Sequence, residues 1–355
     1  MTSYWFDPSS PSPIKKTIPL PVPKEDEVLL KVLAAGICHS DVGLFDPDDV
    51  LHKYLATGTW ICGHEGAGEI VSLGSSVNTT HPSLKVGTYA AVYGPNACFK
   101  PDCLACSHGN DNICDKASWY GLGSGGSWAD YMVVRADSIV PVPGTPETIP
   151  PSVVAISTDA ILTPYHALKH SCNIQPGQTV LMFGVGGLGL HAVSIAKSLL
   201  GARVVACDLK DTSLEQAKTL GADYISKPAD LQAYLAENKI VVDFAVDFVG
   251  TQGTFEACYA AIRPAGTIHI AGLMGKELNA LPTITMFKDL TLKTAFWGNK
   301  SELGEILEAL AGEKLKVLVQ ERPMSEVPQL LRESAAGKIK NRIAVIPDAL
   351  FAAKQ

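Results

Sequence analysis

Hydrophobic and polar positions change texture once along the chain, between about residues 155 and 160. Before that point, short β-type runs alternate with Gly- and Pro-rich turns: Glu27 to Leu33, Gly68 to Leu73, Thr88 to Tyr93 and Tyr131 to Val134. Short strands closed by turn residues predict a mostly β, partly barrel-like region. After Asp159 the pattern lengthens. Thr179 to Phe183 is an unbroken apolar run suited to a strand buried on both faces. Leu188, Ala192, Ile195, Ala196 and Leu199 follow at helical spacing, with Gly201 as the stop. Arg203 to Cys207 predicts the next strand, Ser213 a helix cap for a segment reaching Leu220, and Val241 to Phe248 and Thr267 to Ala271 further strands. Strands alternating with helices predict an α/β fold with a doubly wound parallel sheet.

Composition narrows the classes. The 355 residues are 46% hydrophobic and 18% charged, a globular balance long enough for two domains. A net charge of −7 without any basic run argues against a nucleic-acid partner. The most apolar stretch, Thr179 to Ala196, is interrupted by glycines, His191 and Ser194, so no membrane span is expected. The N-terminal residues lack a basic segment followed by an apolar one, and a cytoplasmic, reducing setting is expected. There the nine cysteines are better read as metal ligands or core thiols than as disulfides.

Gly184-Val-Gly186-Gly187-Leu188-Gly189 fits G-x-G-x-x-G between a predicted strand and helix, and Asp208 ends the following strand. Such glycines permit a tight turn and close approach of backbone to a pyrophosphate at the helix N-terminus. A carboxylate at Asp208 accepts ribose hydroxyls and repels a 2′-phosphate, which predicts NAD(H) over NADP(H); Lys210 nearby works against that preference. Cys98, Cys103, Cys106 and Cys114, spaced C-x4-C-x2-C-x7-C, can close a tetrahedron around zinc with no open position, a structural site. Cys38 and His64, each beside a carboxylate (Asp41 and Glu65), offer a second and sparser donor set. A third ligand would come from elsewhere in the chain, leaving a coordination position for substrate.

Taken together, Gly36-Ile-Cys38-His39-Ser40-Asp41, Gly63-His64-Glu65-Gly66, the cysteine lobe, Gly126 to Tyr131 and the glycine turn occur in an order that resembles the medium-chain zinc-dependent alcohol dehydrogenases over essentially the whole length. The resemblance implies a dinucleotide domain (about 156–296) inserted in a β-rich, GroES-like catalytic domain (1–155 and 297–355), with the zinc lobe at about 95–115. It implies Cys38, His64 and Asp159 as catalytic zinc ligands, since Asp159 precedes the Thr163-Pro-Tyr165 segment where relatives carry the third ligand, often Cys. In this respect the chain is similar to secondary-alcohol dehydrogenases with an Asp ligand. His39 and Arg342 are implied as pyrophosphate contacts, Thr163 and Leu273 as further cofactor contacts, and Tyr54, Tyr93 and Trp297 as pocket walls. Three departures stand out: the x4 first cysteine gap, which must bulge at Phe99 to Asp102; Gly43 where many relatives have a relay histidine; and the Asp ligand itself, harder than a thiolate.

The activity implied is hydride transfer between nicotinamide and a carbinol or carbonyl carbon, with two zinc ions per chain, in a homodimer or homotetramer. Ser40 would begin the proton relay, Asp41 orient His64, and Glu65 modulate ligation. A reductase of a conjugated C=C or iminium bond is the alternative on the same fold, and a zinc-stabilised binding protein without turnover the alternative of another class.

Overall fold

The long strand Glu27–Ile37 organises the first part of the chain, because Val28, Leu30, Val32 and Ala34 alternate inward and are all but fully buried. In the computed structural model, which describes residues 1–275, 277–280 and 282–354, two compact units are resolved. The first comprises Met1–Asp159, Asn299–Gly312 and the chain from Val319 onward; the second comprises Ala160–Gly298 and Glu313–Leu318. Glu313–Leu318 thus groups with the second unit, a return that the nested arrangement expected from the sequence did not include.

In the first unit, Glu27–Ile37 lies in a seven-stranded sheet. It pairs antiparallel with Gly66–Leu73, Tyr131–Arg135 and Arg342–Ile346. Ile343 opposes Ile37, and Ala35 opposes Gly66, so three distant stretches of sequence end side by side. Helix Pro151–Ile156, started by proline at its first turn, packs on Glu27–Ile37 and Arg342–Ile346. A π-helical turn, Ser157–Ile161, follows it and carries Asp159. Such turns hold one residue more than an α-helical turn and recur at functional sites.

The second unit holds a six-stranded, all-parallel sheet. Its order is Tyr224–Ser226, Arg203–Cys207, Thr179–Phe183, Val242–Asp247, Ile262–Ile270 and Thr291–Thr294. Numbered along the chain this is 3-2-1-4-5-6, the doubly wound order whose direction reverses beside the first strand. Thr179–Phe183 is buried at every residue, as its unbroken apolar run predicts. The helix expected to begin at Ser213 begins instead at Asp211. Asp208 accepts the Lys210 N–H at 2.8 Å, which turns the chain earlier, and Ser213 sits buried inside the helix. Among the described residues no helix is long and apolar enough to cross a membrane.

Candidate active site

Cys38 follows the end of Glu27–Ile37, and the short helix Ser40–Gly43 follows it directly. The Asp41 carboxylate folds back, accepting the Cys38 N–H at 2.8 Å through Oδ2 and approaching His64 Nδ1 to 3.1 Å through Oδ1. With Nδ1 held, His64 presents Nε2 to the interior, 3.6 Å from Asp159 Oδ2 and 4.0 Å from Glu65 Oε1. Ligand atoms of Cys38, His64, Glu65 and Asp159 all lie within 4.8 Å of one another, and all four residues are buried. Cys38 and His64 are thereby tied to one carboxylate. A thiolate, an imidazole and carboxylates in one buried cluster suit zinc, and a carboxylate on the far imidazole nitrogen fixes the tautomer that ligation needs.

The two ligand-bearing loops are held by a segment to which sequence reasoning assigned no role. The single Ser127 hydroxyl proton is shared between the carbonyls of Gly63 (3.0 Å) and Glu65 (2.7 Å), and Trp128, fully buried, donates from Nε1 to the Gly36 carbonyl at 3.0 Å. Gly63 has φ +91°, and a Cβ there would lie 2.3 Å from the Trp128 ring, so only glycine permits this approach before His64. The Gly126 to Tyr131 motif is therefore a clamp on both loops.

Charge in the cluster is balanced by Arg342. Its guanidinium is bonded to Glu65 and lies 3.2 Å from Asp159 Oδ2. Burial opposes ionisation of Cys38, and Asp159 adds to that; Arg342 and His64 outweigh both and leave the thiol below its ordinary value. Burial likewise opposes the charged imidazole of His64, yet Asp41, Asp159 and Cys38 hold its pKa well above 6.5. A cation bound at Nε2 would displace that proton. Glu65 Oε1 faces Arg342 and His64, while its Oε2, buried without a hydrogen-bond partner among the described residues, lies against Gly36. Arg342, expected at a pyrophosphate, is 5% exposed and engaged with these carboxylates; without the resemblance it would have passed for a surface residue. The strand pairing Ile343–Ile37 brings it there, a long-range register that no local pattern signals.

In the second cluster, Cys98–Cys106, Cys103–Cys114 and Cys98–Cys114 sulfur separations are 3.7, 3.8 and 3.6 Å. Zinc–sulfur bonds of about 2.3 Å in a tetrahedron require edges of about 3.8 Å, whereas a disulfide requires about 2.05 Å. The four sulfurs fit the ion and not the bridges, and all nine cysteines are free. Phe99 takes φ +50°, so the longer first gap bulges in a left-handed conformation that side chains rarely adopt.

In the second unit, the turn Gly184 to Gly189 leads into helix Gly189–Ser198. A Cβ on Gly189 would meet the Gly184 carbonyl at 2.1 Å, while one on Gly186 would meet nothing within 4 Å. Turn closure thus needs Gly189, and the backbone at Gly186 is open to a ligand. Asp208, at the end of the next strand, accepts the Val185 N–H at 2.9 Å and so holds the turn. A supporting carboxylate absent from the sequence reading is Asp247, fully buried, which accepts from the Val249 and Gly250 amides and from Thr254 Oγ1.

The remaining expected residues scatter. His39 is exposed, 3.4 Å from Ser334 Oγ. Ser40 heads its helix and is half-buried; Thr163 is buried, Lys210 precedes helix Asp211–Thr219, and Leu273 is 75% exposed. Tyr54 is exposed on helix Val50–Leu55, and Trp297 is buried with φ +58°. Tyr93 is fully buried and bonded to Asp111, and its ring lies 6.3 Å from that of Phe99 in the cysteine lobe.

Residues 24–144 match the alcohol dehydrogenase GroES-like domain, and residues 187–312 the zinc-binding dehydrogenase family. An alcohol dehydrogenase of Geobacillus stearothermophilus is 31% identical over 325 residues, 91% of this chain and 92% of that protein. Alcohol dehydrogenase 2 of Caenorhabditis elegans is 27% identical over 93% of this chain and 92% of its own length. Among solved structures, the acetophenone reductase of Geotrichum candidum in complex with NAD superposes with TM-score 0.85 at 28% identity, covering 98% of this chain and 97% of that one. The Aeropyrum pernix alcohol dehydrogenase gives 0.87 at 26% identity, covering 98% and 100%. The chain belongs to the medium-chain zinc alcohol dehydrogenase family, and as such is an oxidoreductase.

Proposed function

We propose that the chain interconverts a secondary alcohol with its ketone, or a primary alcohol with its aldehyde, using NAD(H) and a zinc ion held by Cys38, His64 and Asp159. The observation that carries this reading is the buried cluster of those donors, with Asp41 fixing the His64 tautomer. When bound, zinc there supplies a Lewis acid for the substrate oxygen, and the nicotinamide supplies or accepts the hydride. Asp41 keeps His64 and the Cys38 amide in one geometry, and Arg342 balances the carboxylates. Ser40 hands the substrate hydroxyl proton onward. A Cβ on Gly43 would lie 2.8 Å from the Asp49 carboxylate, so a relay histidine there would require Asp49 to move. Asp208 favours NAD(H), His39 serves the pyrophosphate side, and the four-cysteine set holds a second, structural zinc. Similarity to an acetophenone reductase supports a ketone of some bulk as substrate. We extend the reading to a cytoplasmic homodimer or homotetramer.

The test is zinc analysis of wild type and Cys98→Ser, with NADH consumption followed on paired ketones and enones. Two zinc per chain in the wild type, fewer in the variant, and turnover of ketones support the scheme. Full ketone activity in an Asp159→Ala variant would remove Asp159 from the ligand set. Exclusive turnover of enones would replace the carbonyl reading with C=C reduction.

A further inference from the structure

Two residues more than usual in the first cysteine gap, and a lysine at the start of a helix far along the chain, meet in the first unit. Phe99, in its left-handed conformation, is half-buried; its ring lies 6.3 Å from that of Tyr93, and Lys300 Nζ stands 5.4 Å from its centre. A strained backbone persists where its surroundings hold it. Lys300 is the first residue of helix Lys300–Ala311. Its N–H donates to Asp111 Oδ2 at 3.0 Å and its Nζ donates to the Asp137 carbonyl. Asp111 is buried, bonded to Tyr93, and three residues before the ligand Cys114.

The same helix start is capped from within: Asn299 Oδ1 accepts the Glu302 N–H at 2.9 Å, and Glu302 accepts the Asn299 N–H at 2.9 Å. Asp111 adds an outside acceptor for one more of the four donors that a helix N-terminus leaves unpaired, and its negative charge faces the positive end of the helix dipole. The cysteine lobe therefore contributes part of this helix's cap, and the helix contributes a cation and a donor to the lobe. On the other side of Cys98, Arg135 donates to the Ala97 carbonyl at 2.8 Å, so the lobe is held on both flanks of its first ligand.

We propose that Phe99, Asp111 and Lys300 form a clasp that couples metal occupancy of the four-cysteine site to the order of the first turn of helix Lys300–Ala311. This rests on the reading of that site as a structural zinc centre. Coupling is reciprocal in free energy: zinc orders the helix start, and the clasp tightens zinc binding, read here as slower release. Phe99 and Lys300 are positioning residues; neither offers a ligand atom to the metal.

The test uses the full chain. Zinc release to a chromogenic chelator, resolved into the two sites by the phase lost in Cys98→Ser and, independently, by the phase retained in His64→Ala, is measured for wild type, Phe99→Ala, Lys300→Met and Lys300→Arg. Hydrogen exchange is followed at residues 300–303, with Thr179–Phe183 as a remote reference. Expected are lobe zinc release roughly tenfold faster in Phe99→Ala and Lys300→Met, largely restored in Lys300→Arg, and exchange at 300–303 at least fivefold faster in Cys98→Ser with the reference unchanged. Lobe zinc release at the wild-type rate in both Phe99→Ala and Lys300→Met overturns the clasp even if Cys98→Ser does not fold. Unchanged exchange at 300–303 in a folded Cys98→Ser protein also overturns it. A wild type whose four-cysteine site holds no zinc overturns the site reading and the clasp together, a result distinguishable from loss of coupling alone.

Discussion

Replacing Gly36 by alanine places a methyl group against Glu65, at the edge of the cluster with Cys38, His64 and Asp159. The added Cβ would lie 1.7 Å from Glu65 Oε2 and 2.9 Å from Glu65 Cβ, about half the ordinary separation in the first case. The strand cannot yield. Gly36 donates its N–H to the Glu65 carbonyl at 3.1 Å, its own carbonyl accepts from Trp128, and it pairs with Ala344. The Glu65 side chain must therefore turn away, which breaks its bond to the buried Arg342. Breaking a buried ion pair costs about 3–5 kcal/mol, and alanine in place of strand glycine returns about 0.5–1. For a 355-residue chain a net loss of about 3 kcal/mol lowers the melting temperature by about 4 °C. Calorimetry checks this against Gly253→Ala, where a Cβ meets nothing in helix Gln252–Ala261 and a gain of about 1 kcal/mol is expected. In a Glu65→Ala background the Gly36→Ala penalty should shrink by more than half. A Gly36→Ala protein as stable as wild type, or an undiminished penalty in that background, would refute the reasoning.

Asp41→Asn weakens the hold on His64 Nδ1 and should reduce zinc affinity at the Cys38 cluster about 10–100-fold, measured by chelator competition. Ser127→Ala removes the hydroxyl shared between the Gly63 and Glu65 carbonyls, and should cost about 1–2 kcal/mol in denaturant titration. Asp208→Ala should narrow the ratio of NADH to NADPH in kcat/KM about tenfold or more; an unchanged ratio removes Asp208 from cofactor discrimination. Burial pushes His191 down to about 4, although the Gly187 carbonyl 2.8 Å away favours the proton. Folding therefore favours the neutral ring: the contribution is whole above pH 6.5 and is lost as pH falls toward 4, about 2 kcal/mol by pH 5. A His191→Gln variant should lose that much less stability than wild type between pH 7 and pH 5.

What the sequence determined by itself is local. Apolar period marks Thr179–Phe183 as a strand buried on both faces, because a strand in the middle of a parallel sheet has no solvent side. Glycine spacing marks the turn at Gly184 to Gly189, since a Cβ at Gly189 would strike the Gly184 carbonyl. Four cysteines within one short segment announce their own cluster, because a short loop brings its ligands together whatever the rest of the chain does. The place of Asp159 beside Cys38 and His64 was legible only through the family resemblance; nothing around it in sequence distinguishes it from any other buried polar residue. Tertiary structure alone decided the company Cys38 keeps. His64, Asp159 and Arg342 reach it through antiparallel pairings of distant strands and one π-helical turn, and Ser127 and Trp128 close over the loops between them. Hydrophobic period specifies which face of a strand turns inward, but not which strand lies beside it. That choice belongs to the packing of the whole sheet, and it makes Arg342, expected at the cofactor pyrophosphate, the buried counter-charge of the Cys38 cluster.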